Sequence, residues 1–393
     1  MALPLEGIRV LDLTNVLAGP YCTYHLALFG AEVIKVEQPG RGDLARQLGP
    51  DAALNAELVG TSYLAQNSGK KSVEINLKDP DGKAAFLEMV READVVVENF
   101  RPGVMARLGL DAEQLQLVTP GLVYCAISGF GQTGPLSQRP AYDQIIQGLS
   151  GMMSITGTPD TAPLRVGFPV ADSVGGLMAA LAVCATLVGR QRGGAGAVID
   201  VSMLEATISA MGWAVSNYLG GGVEPRPMGN DNFTAAPSGT FTAQDGSLNI
   251  SANRQAQFEA LCEVVGREDL VGDPRFATRE ARKVHREDLS VELNRVLATR
   301  TAEEWEDRFA ARGVPAARIL TVPQALELPQ LVQRGFVNDL EFPGKPDRTL
   351  TVIGNGVQVD GQSLRPRARP PLLGEHNHLA DRRMVDPTPG GVA

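Results

Sequence analysis

One carboxylate stands apart from its surroundings. In "RVGFPVADSVGGLMAALAVCATLVG" (165–189), Asp172 is the only charged residue after Arg165, set between a Gly/Pro-broken run and a long apolar stretch. Asp or Ser at such a point caps a helix by accepting its orphan backbone N–H groups. The same helix end also favours an ionised carboxylate, and a positioned carboxylate is a nucleophile for acyl transfer. Residue types alone leave both readings open. A second set of candidates is cationic. "NSGKKSVEINLKDPDGK" (67–83) and "ENFRPGVMARLG" (98–109) bring Lys70, Lys71, Lys78, Arg101 and Arg107 around strand ends, near Phe100 and Met105. Cations beside apolar groups suit a ligand with both phosphates and an adenine ring. Taken singly, each also reads as a solvated surface charge.

Other chemistries find little support. Between the first strand and helix, "TNVLAGPYCTYHL" lacks the G-x-G-x-x-G of a dinucleotide site, so no nicotinamide cofactor is expected. There is no Walker-type loop and no G-x-S-x-G elbow. The four histidines show no H-x-x-x-H spacing, and "GEHNH" (374–378) reads as a polar terminal segment, so no metal is expected.

The elements that must position Asp172 alternate strand with helix: strands at 8–14, 32–39, 94–100 and 121–131, helices at 19–30 and 81–93. That rhythm predicts an α/β fold with a parallel sheet covered by helices. A further helix spans 174–189, and 196–219 begins as a strand and becomes a long helix. "GGGVEPRPMGNDNF" (220–233) is linker-like. A hairpin around Asp245-Gly246 follows, then charged amphipathic helices at 254–266, 286–299 and 301–312, and strands again from about 333. The expected division is 1–219 as the first part of a large domain, 220–330 as linker and smaller α+β domain, and 331–393 as a return to the first.

The 393 residues carry a net charge of −9 with no basic block, which argues against a nucleic-acid partner. The start lacks a signal-peptide pattern, and the fifteen residues Val174 to Val188 are short for a membrane span, so a buried core helix and no membrane partner are expected. Cys22, Cys125, Cys184 and Cys262 form no C-x-x-C pair and read as reduced thiols of a cytoplasmic protein.

Several blocks in order resemble the class III CoA-transferases, the CaiB/BaiF family: "LEGIRVLDLTNVLAGPYCT" (5–23), "GAEVIKVEQPGRGD" (30–43), "KKSVEINLKDPDGK" (70–83), "DVVVENFRPGVMARLGL" (94–110), "GFGQTGPLSQRPAYDQIIQGLSG" (129–151), "VADSVGGL" (170–177) and "RPPLLGEHN" (369–377). The resemblance implies a Rossmann-like large domain, a smaller domain and an interlocked homodimer. It makes Asp172 the nucleophile, with coenzyme A or acyl-CoA as substrate. Val16, Leu17 and Ala18 would lie near the thioester. Asn99, Phe100, Arg101 and Arg107, with Lys78, would meet the adenine–phosphate part, and Tyr142 and Asp143 would line the acyl site. The text around 137–157 is most similar to transferases using succinyl-CoA and small dicarboxylates, for which Arg165 is a candidate grip on a distal carboxylate.

Two departures bear on substrate. Formyl-CoA:oxalate transferases carry Gln where this chain has Leu17, and a glycine run where it has "GNDNFTAAPSGTF" (229–241), which points away from formate and oxalate. The family's 2-methylacyl-CoA racemases use His where this chain has Tyr142, and a tyrosine with its usual pKa of about 10 is a poorer proton shuttle near neutrality. Racemase remains the alternative reading. A non-catalytic CoA-binding module is a third, disfavoured because a binder has no use for a placed nucleophile.

Overall fold

Short runs of Val, Ile and Leu suit strands buried on both faces. In the computed structural model, which describes residues 3–380, six such strands form one parallel sheet: β1 (Arg9–Asp12), β2 (Glu32–Glu37), β3 (Lys71–Glu74), β4 (Val95–Glu98), β5 (Val123–Ser128) and β6 (Val198–Ser202). Their order is β3-β2-β1-β4-β5-β6. Side chains alternate between two cores, as the pleat requires. Val10, Val33, Val95 and Val123 enter one; Leu11, Ile34, Val96 and Tyr124 enter the other. The first core is closed by helix Ala18–Leu28 and the 22-residue helix Val170–Gln191. The second is closed by Phe86, Met89 and Val90 of helix Pro80–Val90 with Met105, Leu110 and Leu115.

The long helix exceeds the apolar run read from the sequence. At 22 residues it is long and apolar enough to cross a membrane. One face nonetheless packs into the core through Ala171, Gly175, Gly176, Ala179, Ala180, Val183 and Leu187. The glycine pair permits this packing. A Cβ on Gly176 would sit 2.5 Å from the Ala18 carbonyl oxygen, and one on Gly175 would sit 2.9 Å from Met203 Cγ. The two helices therefore meet backbone to backbone one turn beyond Asp172.

Two expectations differ in detail. β3 lies inside "KKSVEINLK", a stretch read only for its cations. The long helix read up to 219 breaks at Met211 into Met203–Ala210 and Gly212–Gly221.

The chain divides into two compact units. The larger comprises the chain through Met152, Arg165–Val223 and the part from Pro329; the smaller comprises Met153–Leu164 and Glu224–Leu328. The early segment Met153–Leu164 thus groups with the smaller unit, although the sequence reading placed it in the large domain. In the larger unit, the returning chain adds the antiparallel pair β10 (Val337–Phe342) and β11 (Lys345–Ile353), the strands β7 (Ser238–Thr242), β8 (Ser247–Ser251) and β9 (Ala316–Arg318) falling in the smaller unit. It is fastened where the Tyr24 hydroxyl donates to the Ile353 carbonyl at 2.8 Å and the His376 amide to the Ser72 carbonyl at 2.8 Å. The smaller unit is an antiparallel sheet of β7, β8 and β9. Helices Gln255–Val265, Arg286–Leu297 and Ala302–Ala311 supply Phe258, Leu293, Trp305 and Phe309 to its core.

The glycine contact yields a paired test. Gly176→Ala forces a methyl into the Ala18 carbonyl and is expected to lower stability by about 1–3 kcal/mol in denaturant titration. Gly189→Ala, on the same helix with nothing within 4 Å of the new methyl, is expected to be neutral or stabilising by up to about 1 kcal/mol.

Candidate active site

In an open parallel sheet, ligands settle outside the carboxyl ends of the strands where the strand order reverses. Here the reversal lies between β1 and β4. The segments leaving those strands, Asn15–Ala18 and Asn99–Pro102, line a cleft of about 220 Å³ together with the end of β5, the loop Arg139–Tyr142 and Asp172.

Asp172 is the third residue of its helix, and the N-cap residue, Pro169, offers no side-chain acceptor. The cap comes from elsewhere. Asp143 Oδ1 accepts from the Ala171 amide at 2.9 Å and the Asp172 amide at 3.4 Å. Its Oδ2 accepts from Gln147 Nε2 at 2.7 Å, and Arg165 Nε stands 3.8 Å away. With the helix end satisfied, the Asp172 carboxylate accepts no hydrogen bond from the described residues and borders the cleft. Burial, and then the neighbouring Asp143 charge, push it up to about 7. The helix dipole opposes that rise, and burial outweighs it. A carboxyl group poised near neutrality, in a cleft, beside a like charge, has the features of a reactive group rather than a cap.

Helix Ala18–Leu28 begins at the same cleft. The amides of Leu17 and Ala18 donate to no acceptor among the described residues, as expected for the open first turn of a helix. The turn before them is clamped: the Asn15 amide donates to Asn99 Oδ1, and Asn99 Nδ2 donates back to the Asn15 carbonyl, both at 2.8 Å.

Of the residues singled out from the sequence, Val16, Leu17, Ala18, Asn99, Phe100, Arg101, Tyr142 and Asp172 all line this cleft. Others do not. Asp143, expected at the acyl site, lies 7 % exposed behind it with its carboxylate committed to the helix cap. Arg165 stays outside the lining beside Asp143. Lys78 and Arg107 are exposed and outside it, Arg107 resting against Gly103. Lys70, read as a candidate for phosphate, is 3 % exposed, and its Nζ donates to Asp12 Oδ2, the Pro20 carbonyl and Thr23 Oγ1 at 2.8–3.0 Å. Burial lowers it to about 8, despite Asp12. Lys71 pairs with Glu32 across β3 and β2. Sequence reading missed Arg139, an exposed cation of the cleft lining with no ion pair among the described residues. Its signal was its place in the loop that leaves β5. In "GEHNH", Glu375 is held by Arg369 at 2.8 Å, and the segment serves to dock the C-terminal chain.

The model of CoA-transferase family III matches residues 5–377. The chain belongs to this family. This CoA-transferase is 41% identical to an acetyl-CoA:oxalate CoA-transferase of Acetobacter aceti, over 98% of this chain and 96% of that one. It is 38% identical to a succinyl-CoA:glutarate CoA-transferase of Mus musculus, over 95% of this chain and 84% of that one. Among solved structures it resembles a CaiB/BaiF family protein from Brucella suis, with a TM-score of 0.83 and 34% identity over 96% of this chain and 98% of that one. The substrate of such an enzyme is acyl-CoA, as the resemblance implied.

The cleft electrostatics can be tested in the pH–rate profile. Because the Asp143 charge raises Asp172, Asp143→Asn keeps an acceptor for the helix amides and removes that charge. The acid limb of kcat/KM, expected near pH 7, is predicted to move to lower pH in this variant. Activity lost on acidification should therefore be retained further into the acid range.

Proposed function

We propose that Asp172 carries CoA between acids by covalent catalysis. The observation that supports this reading is an unpaired, partly buried carboxylate lining the same cleft as two residues whose backbone amides have no acceptor among the described residues. The carboxylate attacks the thioester carbonyl of a donor acyl-CoA. The electron pair of the C=O moves to oxygen, the amides stabilise that charge, and CoA thiolate leaves as a mixed anhydride forms. The thiolate attacks the Asp172 carbonyl, releasing the donor acid and leaving an aspartyl-CoA thioester. An acceptor carboxylate then attacks that thioester, and the returning thiolate collects the new acyl group. Anhydride and thioester are similarly activated, so no ATP is required.

A cleft of about 220 Å³ suits the reacting end of an acyl-CoA. In this reading the nucleotide end runs outward past Phe100 and Arg101 toward Arg107, with Lys78 as a more distant cation. The donor is succinyl-CoA and the acceptor a small dicarboxylate, in line with the names of several relatives. The acetyl-CoA:oxalate relative brings oxalate back among the acceptors that the absent glycine run had set aside. Arg139 at the cleft, rather than Arg165 behind it, is the better placed grip for a distal carboxylate.

We further propose a cytoplasmic homodimer of the interlocked kind. Helix Gly212–Gly221 has no buried residue, and Trp213 and Leu219 are 75% and 76% exposed, with Leu181 of the long helix at 62%. Apolar faces of this extent on a soluble chain usually meet a partner.

A mass-spectrometric exchange assay with succinyl-CoA and a panel of oxalate, glutarate, mesaconate and acetate tests the reading. Wild type is expected to form a new acyl-CoA with at least one dicarboxylate, and Asp172→Ala to lose about 10³-fold or more while remaining folded. Arg139→Met should raise KM for the dicarboxylate about tenfold and leave acetate unchanged. Solvent deuterium entering 2-methylacyl-CoA, with no acceptor used, would instead establish the racemase reading.

A further inference from the structure

Left-handed backbone is rare for β-branched residues, because the side chain crowds the adjoining carbonyl. Val16 adopts it, with φ 67°, at the lining of the cleft. Such a conformation persists only where surrounding structure holds it, and three contacts do so here. The Val16 amide donates to Asp43 Oδ1 at 2.9 Å. Asp43 is 1% exposed, takes the Ala45 amide at 2.8 Å on the same oxygen, and pairs with the fully buried Lys35 ammonium at 2.9 Å. Lys35 Nζ in turn donates to the Thr14 carbonyl at 2.7 Å, two residues before Val16. Asn99 fixes the intervening Asn15 from the other side. The two residues that follow Val16 are Leu17 and Ala18, which line the cleft and whose amides donate to no acceptor among the described residues.

We propose that Asp43, which lies outside the cleft lining, is a positioning residue: it holds Val16 in the left-handed conformation and thereby aims the Leu17 and Ala18 amides at the thioester oxygen of the bound acyl-CoA. This rests on the reading of Asp172 as nucleophile. The contribution arises when Asp172 adds to the carbonyl and negative charge develops on that oxygen. It is therefore a contribution to turnover and not to the binding of CoA.

The test separates those two quantities. Asp43→Ala is expected to lower kcat about 10²-fold, the scale of a lost oxyanion donor, while the Kd for free CoA, which has no thioester oxygen, stays within about threefold. Asp43→Asn keeps a weaker, neutral acceptor and is expected to lose about tenfold. Glycine occupies positive φ without a holding bond, so Val16→Gly placed on either variant should return part of the lost kcat. If Asp43→Ala fails to fold, Asp43→Asn with and without Val16→Gly carries the same comparison. The proposal is overturned if kcat is unchanged in the Asp43 variants. It is equally overturned if kcat and CoA affinity fall together with nothing regained from glycine at 16. Asp172→Ala, assayed beside them, distinguishes the two levels. Continued transfer by that variant removes the nucleophile reading itself, whereas its inactivity beside fully active Asp43 variants removes only the role of Asp43.

Discussion

Two backbone amides at the start of helix Val170–Gln191 need an acceptor, and the Asp143 carboxylate supplies it from a neighbouring helix. An acid within the first turn is ordinarily drawn into that task itself, since the orphan donors and the dipole both favour it. With Asp143 in the role, Asp172 is left unpaired, and burial, followed by the second negative charge beside it, raises rather than lowers its pKa. The chemistry proposed for Asp172 depends on this division of labour between two aspartates. The Gly175–Gly176 pair then lets the helix lie against Ala18 and Met203, which brings the freed carboxylate to the same cleft as the open amides of the first helix.

Beneath the cleft, charge is buried in a closed network. Asp12, at the end of β1, receives Lys70 at 3.0 Å with Lys35 at 3.9 Å, and Thr14 and Thr23 donate to it. Burial alone would raise the Asp12 carboxyl, but the two ammonium groups and two hydroxyls outweigh it and hold it well below its ordinary value. Glu37, at the end of β2, pairs with Arg46 at 2.7 Å, whose guanidinium lies 3.7 Å over the Tyr63 ring. Removing one partner of such a pair is costly, whereas the intact pair adds modestly to stability, so its use here is geometric. It fixes the loop after β2, and from that loop Asp43, with Lys35 of β2, reaches the segment leaving β1 through the Val16 amide and the Thr14 carbonyl. The dinucleotide-type strand order is thus kept while the glycine-rich turn is replaced by a valine held left-handed.

The strands and amphipathic helices were legible because their signals are local: β-branched runs for β1, β2, β4 and β5, and helical apolar spacing for the smaller unit. β3 was hidden because its polar residues are turned to partners, Lys71 to Glu32 and Ser72 to Glu37. The fate of Lys70 was equally hidden, since its acceptor Asp12 lies 58 positions away. Whether Asp172 capped its helix or was left free turned on Asp143, also distant in sequence, and no spacing rule addresses that pairing. The family resemblance pointed to Asp172 and to most of the other expected residues that line the cleft. It brought Asp143 and Arg165 to the neighbourhood, though they lie outside the cleft lining, and it did not draw attention to Arg139.

Covalent catalysis by Asp172 requires one of its oxygen atoms to pass through the reaction. A single turnover with an acceptor acid carrying 18O in both carboxylate positions, followed by mass spectrometry of the peptide containing Asp172, tests it directly. Through anhydride and aspartyl-CoA thioester, one 18O must remain on Asp172 and one in the new acyl-CoA, and the donor acid released in that first turnover must be unlabelled. An unlabelled Asp172 peptide together with 18O in the first released donor acid would mean direct exchange between the two acids, and would contradict the account.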